Sequence, residues 1–149
     1  MPVERSAGII IFRNTPQGRK YLVIRVAQKH IPKPDFWDFS KGILDKGEKG
    51  LEAARRELKE ETGIKKIELM PNFKATVRYF TRRNGKPVPK FVAMFLGETK
   101  TNRVKLSWEH DKYEWLAYKG ARKRITLPSM KKATEKAEKF LKNYLLATS

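Results

Sequence analysis

Between residues 42 and 64 the chain reads GILDKGEKGLEAARRELKEETGI, and this stretch restricts the fold more than any other. Leu51, Ala54 and Leu58 recur at helical spacing, and Gly63 falls where a helix C-terminus needs a left-handed residue. The spacing predicts a helix from Gly50 to Thr62. With Glu57 set at 0° and about 100° per residue, Glu60 lies near −60° and Glu61 near +40°. Ala54, Leu58 and Leu51 then lie near about 60°, 100° and 120°. Three carboxylates thus share one arc at the border of an apolar stripe that must pack on a sheet. Like charges at i,i+3 and i,i+4 destabilise a helix by roughly 0.2–0.5 kcal/mol per pair. Either this is a solvated acidic turn, or a divalent cation reverses the sign of the repulsion. Mg²⁺ takes carboxylate and water oxygens at about 2.1 Å and completes its shell with phosphate.

The rest of the chain supplies the sheet. AGIIIF (7–12) and YLVIRV (21–26) are β-branched runs around NTPQG, and they read as a hairpin. QKHIPKPD reads as a loop leading to the short apolar FWDF. FKATVRYF (73–80) and KFVAMFLG (90–97) flank RRNGKPVP, whose Asn-Gly marks a hairpin turn, and YEWLAY (113–118) is a further strand. The C-terminal MKKATEKAEKFLKNYLLA sets Met130, Ala133, Ala137, Phe140, Leu141, Tyr144 and Leu145 on one helical stripe. Glu135 with Lys139, and Glu138 with Lys142, are spaced as supporting i,i+4 pairs. Without repeats or an internal linker, this pattern predicts one α/β domain over residues 1–149: a mixed sheet with a helix on each side.

The chain has 34 Lys and Arg against 16 Asp and Glu, a formal charge of +18. Such a field attracts polyanions, either nucleic acid or a nucleotide's polyphosphate, and it also favours solubility. The absence of cysteine removes disulfides, thiolate nucleophiles and cysteine-based zinc sites. No run approaches the roughly 18 apolar residues that span a bilayer, and AGIIIF is too short for a secretory leader. The expectation is a cytoplasmic protein with no membrane partner.

Gly42, Glu48, Arg56, Glu57, Glu60, Glu61 and Gly63, with Leu58 and Ile64 aliphatic, fill the pattern G-x5-E-x7-R-E-U-x-E-E-x-G-U. At average residue usage, these seven identities arise by chance on the order of once in 10⁸ starting positions. This is a complete Nudix box, and the chain resembles the Nudix hydrolases. That resemblance implies an α/β/α sandwich with a mixed central sheet, cleaving a diphosphate linked to another moiety. Glu57, Glu60 and Glu61 match the family's metal-binding and catalytic glutamates, with Mg²⁺ as the implied ion and Mn²⁺ as its substitute. Glu48 and Arg56 match a structural salt bridge, while Gly42 and Gly63 match turns that support it.

RSAGIIIFR, FWDFSKG, NFKATVRY and LSWEHDKYEWL, in that order around the box, resemble the asymmetrical diadenosine tetraphosphate (Ap4A) hydrolases. By that resemblance Tyr79 stacks on adenine, Lys90 and Lys41 contact phosphates, and Glu109 joins the catalytic metal cluster. The chain also departs from the pattern. Phe36 replaces a histidine and offers a different stacking face, Ser40 replaces a proline, and Leu127 stands where a second adenine-stacking aromatic is expected. The implied reaction converts Ap4A to ATP and AMP in a monomer whose partner is a dinucleoside polyphosphate or another nucleotide. Removal of pyrophosphate or a cap from RNA 5′ ends is the neighbouring reading. A non-catalytic RNA-binding Nudix domain is the rival of a different class.

Overall fold

The computed structural model describes residues 3–27 and 35–148, the last three by backbone alone. All but Asp35 of the predicted loop at 28–35 lies outside the described residues. In chain order the elements are β1 (Glu4–Thr15), β2 (Gly18–Val26), β3 (Trp37–Asp38), β4 (Ser40–Ile43) and α1 (Gly50–Thr62). They are followed by β5 (Glu68–Leu69), β6 (Ala75–Arg83), β7 (Lys86–Glu98), β8 (His110–Leu116), α2 (Tyr118–Arg124) and α3 (Pro128–Thr148). No helix among the described residues is long and apolar enough to cross a membrane.

Strand β1 is the axis of the fold, because its alternating side chains feed two separate cores. Ile10 and Phe12 join Val77, Val92 and Met94 under α2 and α3. Ala7, Ile9 and Ile11 join Ala53, Ala54 and Leu58 of α1. Helices therefore cover both faces of one mixed sheet, which is the expected α/β/α sandwich.

One edge of β1 runs parallel to β7 from Glu4 to Phe12. The other edge is divided. Residues Phe12–Thr15 pair with β2, whereas Ser6–Ile9 pair with β4. Strand β2 thus departs from β1, and β3–β4 fill the gap, with β3 on β2 and β4 on β1. On β2, strand β8 pairs from Tyr21 to Val26 with a register shift between Arg25 and Val26. That shift sets Glu109 and His110 at the mouth of the divided edge, and Ala27 N donates to the Glu109 carbonyl at 2.8 Å.

Helix α1 has the predicted bounds. Glu52 accepts from the Lys49 N–H at 3.1 Å, and Gly63 ends the helix at φ 77° while donating to the Lys59 carbonyl. Two expectations change. The strand predicted at 113–118 runs from His110 to Leu116, and Tyr118 instead opens α2. On α3, Glu135 meets Arg122 at 3.1 Å, and Glu138 accepts from Arg19 at 2.9 Å and Tyr21 Oη at 2.7 Å. The buried tyrosine hydroxyl requires a partner, so the long-range contact takes Glu138.

Gly8 faces the divided edge, where a Cβ would overlap the Ser40 carbonyl and the Lys41 backbone. Overlap against backbone is relieved only by parting β1 from β4. Gly8→Ala is therefore expected to destabilise the fold by about 1–3 kcal/mol in urea unfolding; an unchanged midpoint would show that the two strands separate freely.

Candidate active site

The divided edge opens into a cleft of about 370 Å³, lined by Phe36, Asp38, Lys41, Glu61, Glu109 and His110 among others. Glu61 lies at its base, 4% exposed. The Ser40 hydroxyl donates to Glu61 Oε1 at 2.7 Å, and the Lys41 N–H donates to the same oxygen at 3.1 Å. Burial pushes the Glu61 carboxyl up to about 8, reinforced by the charges of Glu57 and Glu109. Ser40 and Lys41 only partly offset this.

Glu57 is half-buried one turn earlier. Burial raises its pKa too, against Arg56, with Glu60 and Glu109 adding to the rise. Its carboxyl fills the space where a Gly42 side chain would be, so a Cβ at Gly42 would collide with it. Only glycine lets β4 pass so close to the helix.

Arg56 links these parts. Its Nε and Nη2 donate to the two oxygens of Glu48 at 2.8 and 3.0 Å, and Nη2 also reaches the Ile43 carbonyl at 3.2 Å. Nη1 donates to Glu57 at 2.9 Å and reaches Glu60 at 3.3 Å. The expected Glu48–Arg56 salt bridge is present, and the same guanidinium aims Glu57. Glu60 is the outermost carboxylate, its side chain 53% exposed.

The predicted phosphate-binding and base-binding residues gather beside Lys41. Its ammonium stands 3.3 Å from Asp38 and 5.7 Å from the centre of the Tyr79 ring. The Lys90 ammonium is 5.8 Å from the same ring. Burial opposes the Lys41 charge, yet Asp38 and the Tyr79 hydroxyl outweigh it and raise its pKa. For Lys90, burial together with Lys41 outweighs the charges of Glu4 and Asp38 and lowers it to about 8. Leu127 packs into the core under α3, whereas Phe36 lines the cleft, joined by Trp108 at 70% exposure.

Three residues in or beside the cleft had no role in the sequence reading. Asp38 was hidden within an apolar FWDF, and Ser40 stood out only as a departure from proline. A loop histidine reads as surface, yet the His110 side chain is only 8% exposed. Burial and the charge of Lys41 lower its pKa to about 4. Among the described residues its Nδ1 has no hydrogen-bond partner, and it stands 3.8 Å from Glu61 Oε2.

Among the described residues, no three carboxylate or imidazole groups form a ready-made metal cage. The donor set is nonetheless one that a hard cation suits: Glu57 and Glu61 are each raised by burial and by neighbouring carboxylates, including Glu109.

The NUDIX domain family matches residues 2–143. The asymmetrical bis(5′-nucleosyl)-tetraphosphatase of Mus musculus is 32% identical over 143 residues, which are 92% of this chain and 95% of that protein. An RNA pyrophosphohydrolase of Pelagibacter ubique is 28% identical, over 77% of this chain and 75% of that protein. A binary complex of a C. elegans Ap4A hydrolase superposes with a TM-score of 0.82 and 30% identity, covering 95% of this chain and 99% of that one.

The Glu61 environment gives a pH test. A carboxyl raised from 4.5 to about 8 in the fold loses stability as pH climbs through that window, because the unfolded chain ionises first. In EDTA, the stability of Glu61→Gln relative to the parent should therefore rise between pH 4.5 and 8 and then level off. A difference that stays flat in urea titrations would mean that Glu61 ionises freely.

Proposed function

The chain belongs to the NUDIX family of pyrophosphohydrolases, and on that footing we propose that it hydrolyses dinucleoside polyphosphates, above all Ap4A to ATP and AMP. The observation that carries this reading is the Tyr79 ring with the Lys41 and Lys90 ammonium groups 5.7 and 5.8 Å from its centre. A platform for a base and countercharge for phosphates thus adjoin the cleft that holds Glu61 and Glu109.

We assign Glu57, Glu60, Glu61 and Glu109 to hold Mg²⁺, with Mn²⁺ as a substitute. A divalent cation there would supply Lewis-acid polarisation of a phosphate oxygen and a lower pKa for attacking water. Arg56 orients Glu57 and, through Glu48 and Ile43, fixes the loop against the helix. Ser40 and the Lys41 N–H hold one oxygen of Glu61, leaving the other toward His110 and the cleft. Lys90, lowered to about 8, gains charge as a polyphosphate approaches, while Lys41 is already fully charged. Tyr79 stacks one adenine, and Phe36 offers a second face in place of the aromatic absent at Leu127. Such an enzyme works as a cytoplasmic monomer of one domain.

Removal of pyrophosphate from RNA 5′ ends is the second reading, supported by the Pelagibacter ubique relative and by the charge of +18. Incubation with Ap4A and Mg²⁺, followed by ion-exchange separation, should yield ATP and AMP. Glu57→Gln should lower the rate by about 100-fold or more, and EDTA should abolish it. Tyr79→Ala should raise KM by roughly 5–100-fold, the worth of one stacked base. Two ADP would refute asymmetric cleavage. Inert Ap4A with pyrophosphate released from triphosphorylated RNA would transfer the site to RNA ends, and no turnover of either would leave a binding domain.

A further inference from the structure

The far end of the β6–β7 hairpin carries a surface that the hydrolytic site does not use. Residues opposite one another across paired strands share a face, so Arg5, Phe91 and Arg78 form one row across β1, β7 and β6. Pro89 with Phe80, and Pro87 with Arg82, form the next two rows. Helix α1 covers this face where Ala7, Ala93 and Phe95 pack beneath it, but not these rows. Phe80 is 64% exposed. Arg5, Arg78, Arg82 and Pro87 are exposed beside it, and Phe91 is half-buried.

The chemistry of the patch is specific. The Arg5 guanidinium lies 5.7 Å from the Phe91 ring centre, which keeps a cation on an aromatic face. Arg78 has no acidic partner among the described residues, and none of the three rows contains a carboxylate. Along β6, Arg78, Phe80 and Arg82 stand about 7 Å apart on the same side, an aromatic between two cations. Tyr79 points to the opposite face, with Val77 and the α3 core.

We propose that this open sheet face binds single-stranded nucleic acid, with Phe80 stacking a base and Arg78, Arg82 and Arg5 contacting the flanking phosphates. An exposed aromatic amid guanidinium groups without a carboxylate partner among the described residues, Arg82 meeting only the Gly85 carbonyl, matches an unstacked base on a polyanion, since every base has a π-face and every linkage a charge. A duplex buries its base faces and would use only the arginines. The charge of +18 strengthens attraction of any polyanion but does not account for the exposed ring.

The test is fluorescence anisotropy in EDTA with the full chain and a 3′-labelled single-stranded RNA of about 12 nucleotides. A 5′-hydroxyl end leaves nothing for the hydrolytic site to cleave. Phe80→Ala should weaken binding by roughly fivefold or more. Arg78→Glu should weaken it by about tenfold or more and flatten the salt dependence. Lys142→Glu, an equal charge reversal on exposed α3, should change it by less than about twofold. Phe80→Ala should keep the parent's melting temperature and its Ap4A turnover, which separates this proposal from the hydrolytic one. Equal losses in the two charge reversals with Phe80→Ala neutral would overturn the proposal. So would a duplex competing as well as the single strand, or no binding at low salt.

Discussion

A buried carboxylate hydrogen-bonded across the sheet edge holds the structure in its working arrangement. Glu61 sits on α1, yet the groups that satisfy it, the Ser40 hydroxyl and the Lys41 N–H, belong to β4. A carboxyl group at 4% exposure is costly without hydrogen-bond partners, so these donors bind the helix to the strand at one defined register. Phase along the helix follows from that contact. Glu57 then falls opposite Gly42, Arg56 falls within reach of Glu48, and the loop between β4 and α1 closes on the guanidinium. The same interaction fixes Lys41 by its backbone while its side chain turns to Asp38 and Tyr79. The ammonium beside Tyr79 and the buried carboxyl of Glu61 are therefore held by one residue of β4.

That arrangement depends on a sheet that is incomplete at its centre. Because β1 pairs with β2 at one end and β4 at the other, a cleft opens between the strands instead of beside them. Clefts of this kind recur where a sheet changes partners, since diverging strands leave space without breaking either core. Here the two cores on opposite faces of β1 remain packed while the gap admits solvent.

Much of α1 was legible in the sequence because its signals are local. Apolar spacing gave its face, and Gly63 gave its end. The Asn-Gly turn was equally legible, since Asn84 and Gly85 adopt φ 54° and 76°, as a two-residue hairpin loop requires. Strands β3 and β4 were not, because two to four residues carry no periodicity and exist only through pairing with distant partners. Asp38, Ser40 and His110 share that fate: each joins the cleft or the carboxyl at its base through burial made by strands far away in the chain. Helix α2 was missed for a related reason. YKGARKR has only Ala121 buried, so it displays no stripe. Among the residues of the box, Arg56 proved to do more than its spacing implied, because contact with Glu57 and Ile43 depends on how the loop folds back.

The prolines of β7 have a consequence for how copies of the chain meet. Strand β7 outruns β1 by several residues, for its pairing with β1 begins at Lys90. A two-residue turn makes Arg83 and Lys86 a hydrogen-bonded pair, and alternation makes Arg82–Pro87 and Phe80–Pro89 non-bonded ones. At Pro87 and Pro89 the backbone nitrogen thus faces the open margin, and it has no hydrogen to donate. A strand arriving from another molecule would find acceptors there and no donors, so it could not extend the sheet. The overhang is sealed against self-templating without a helix to cap it.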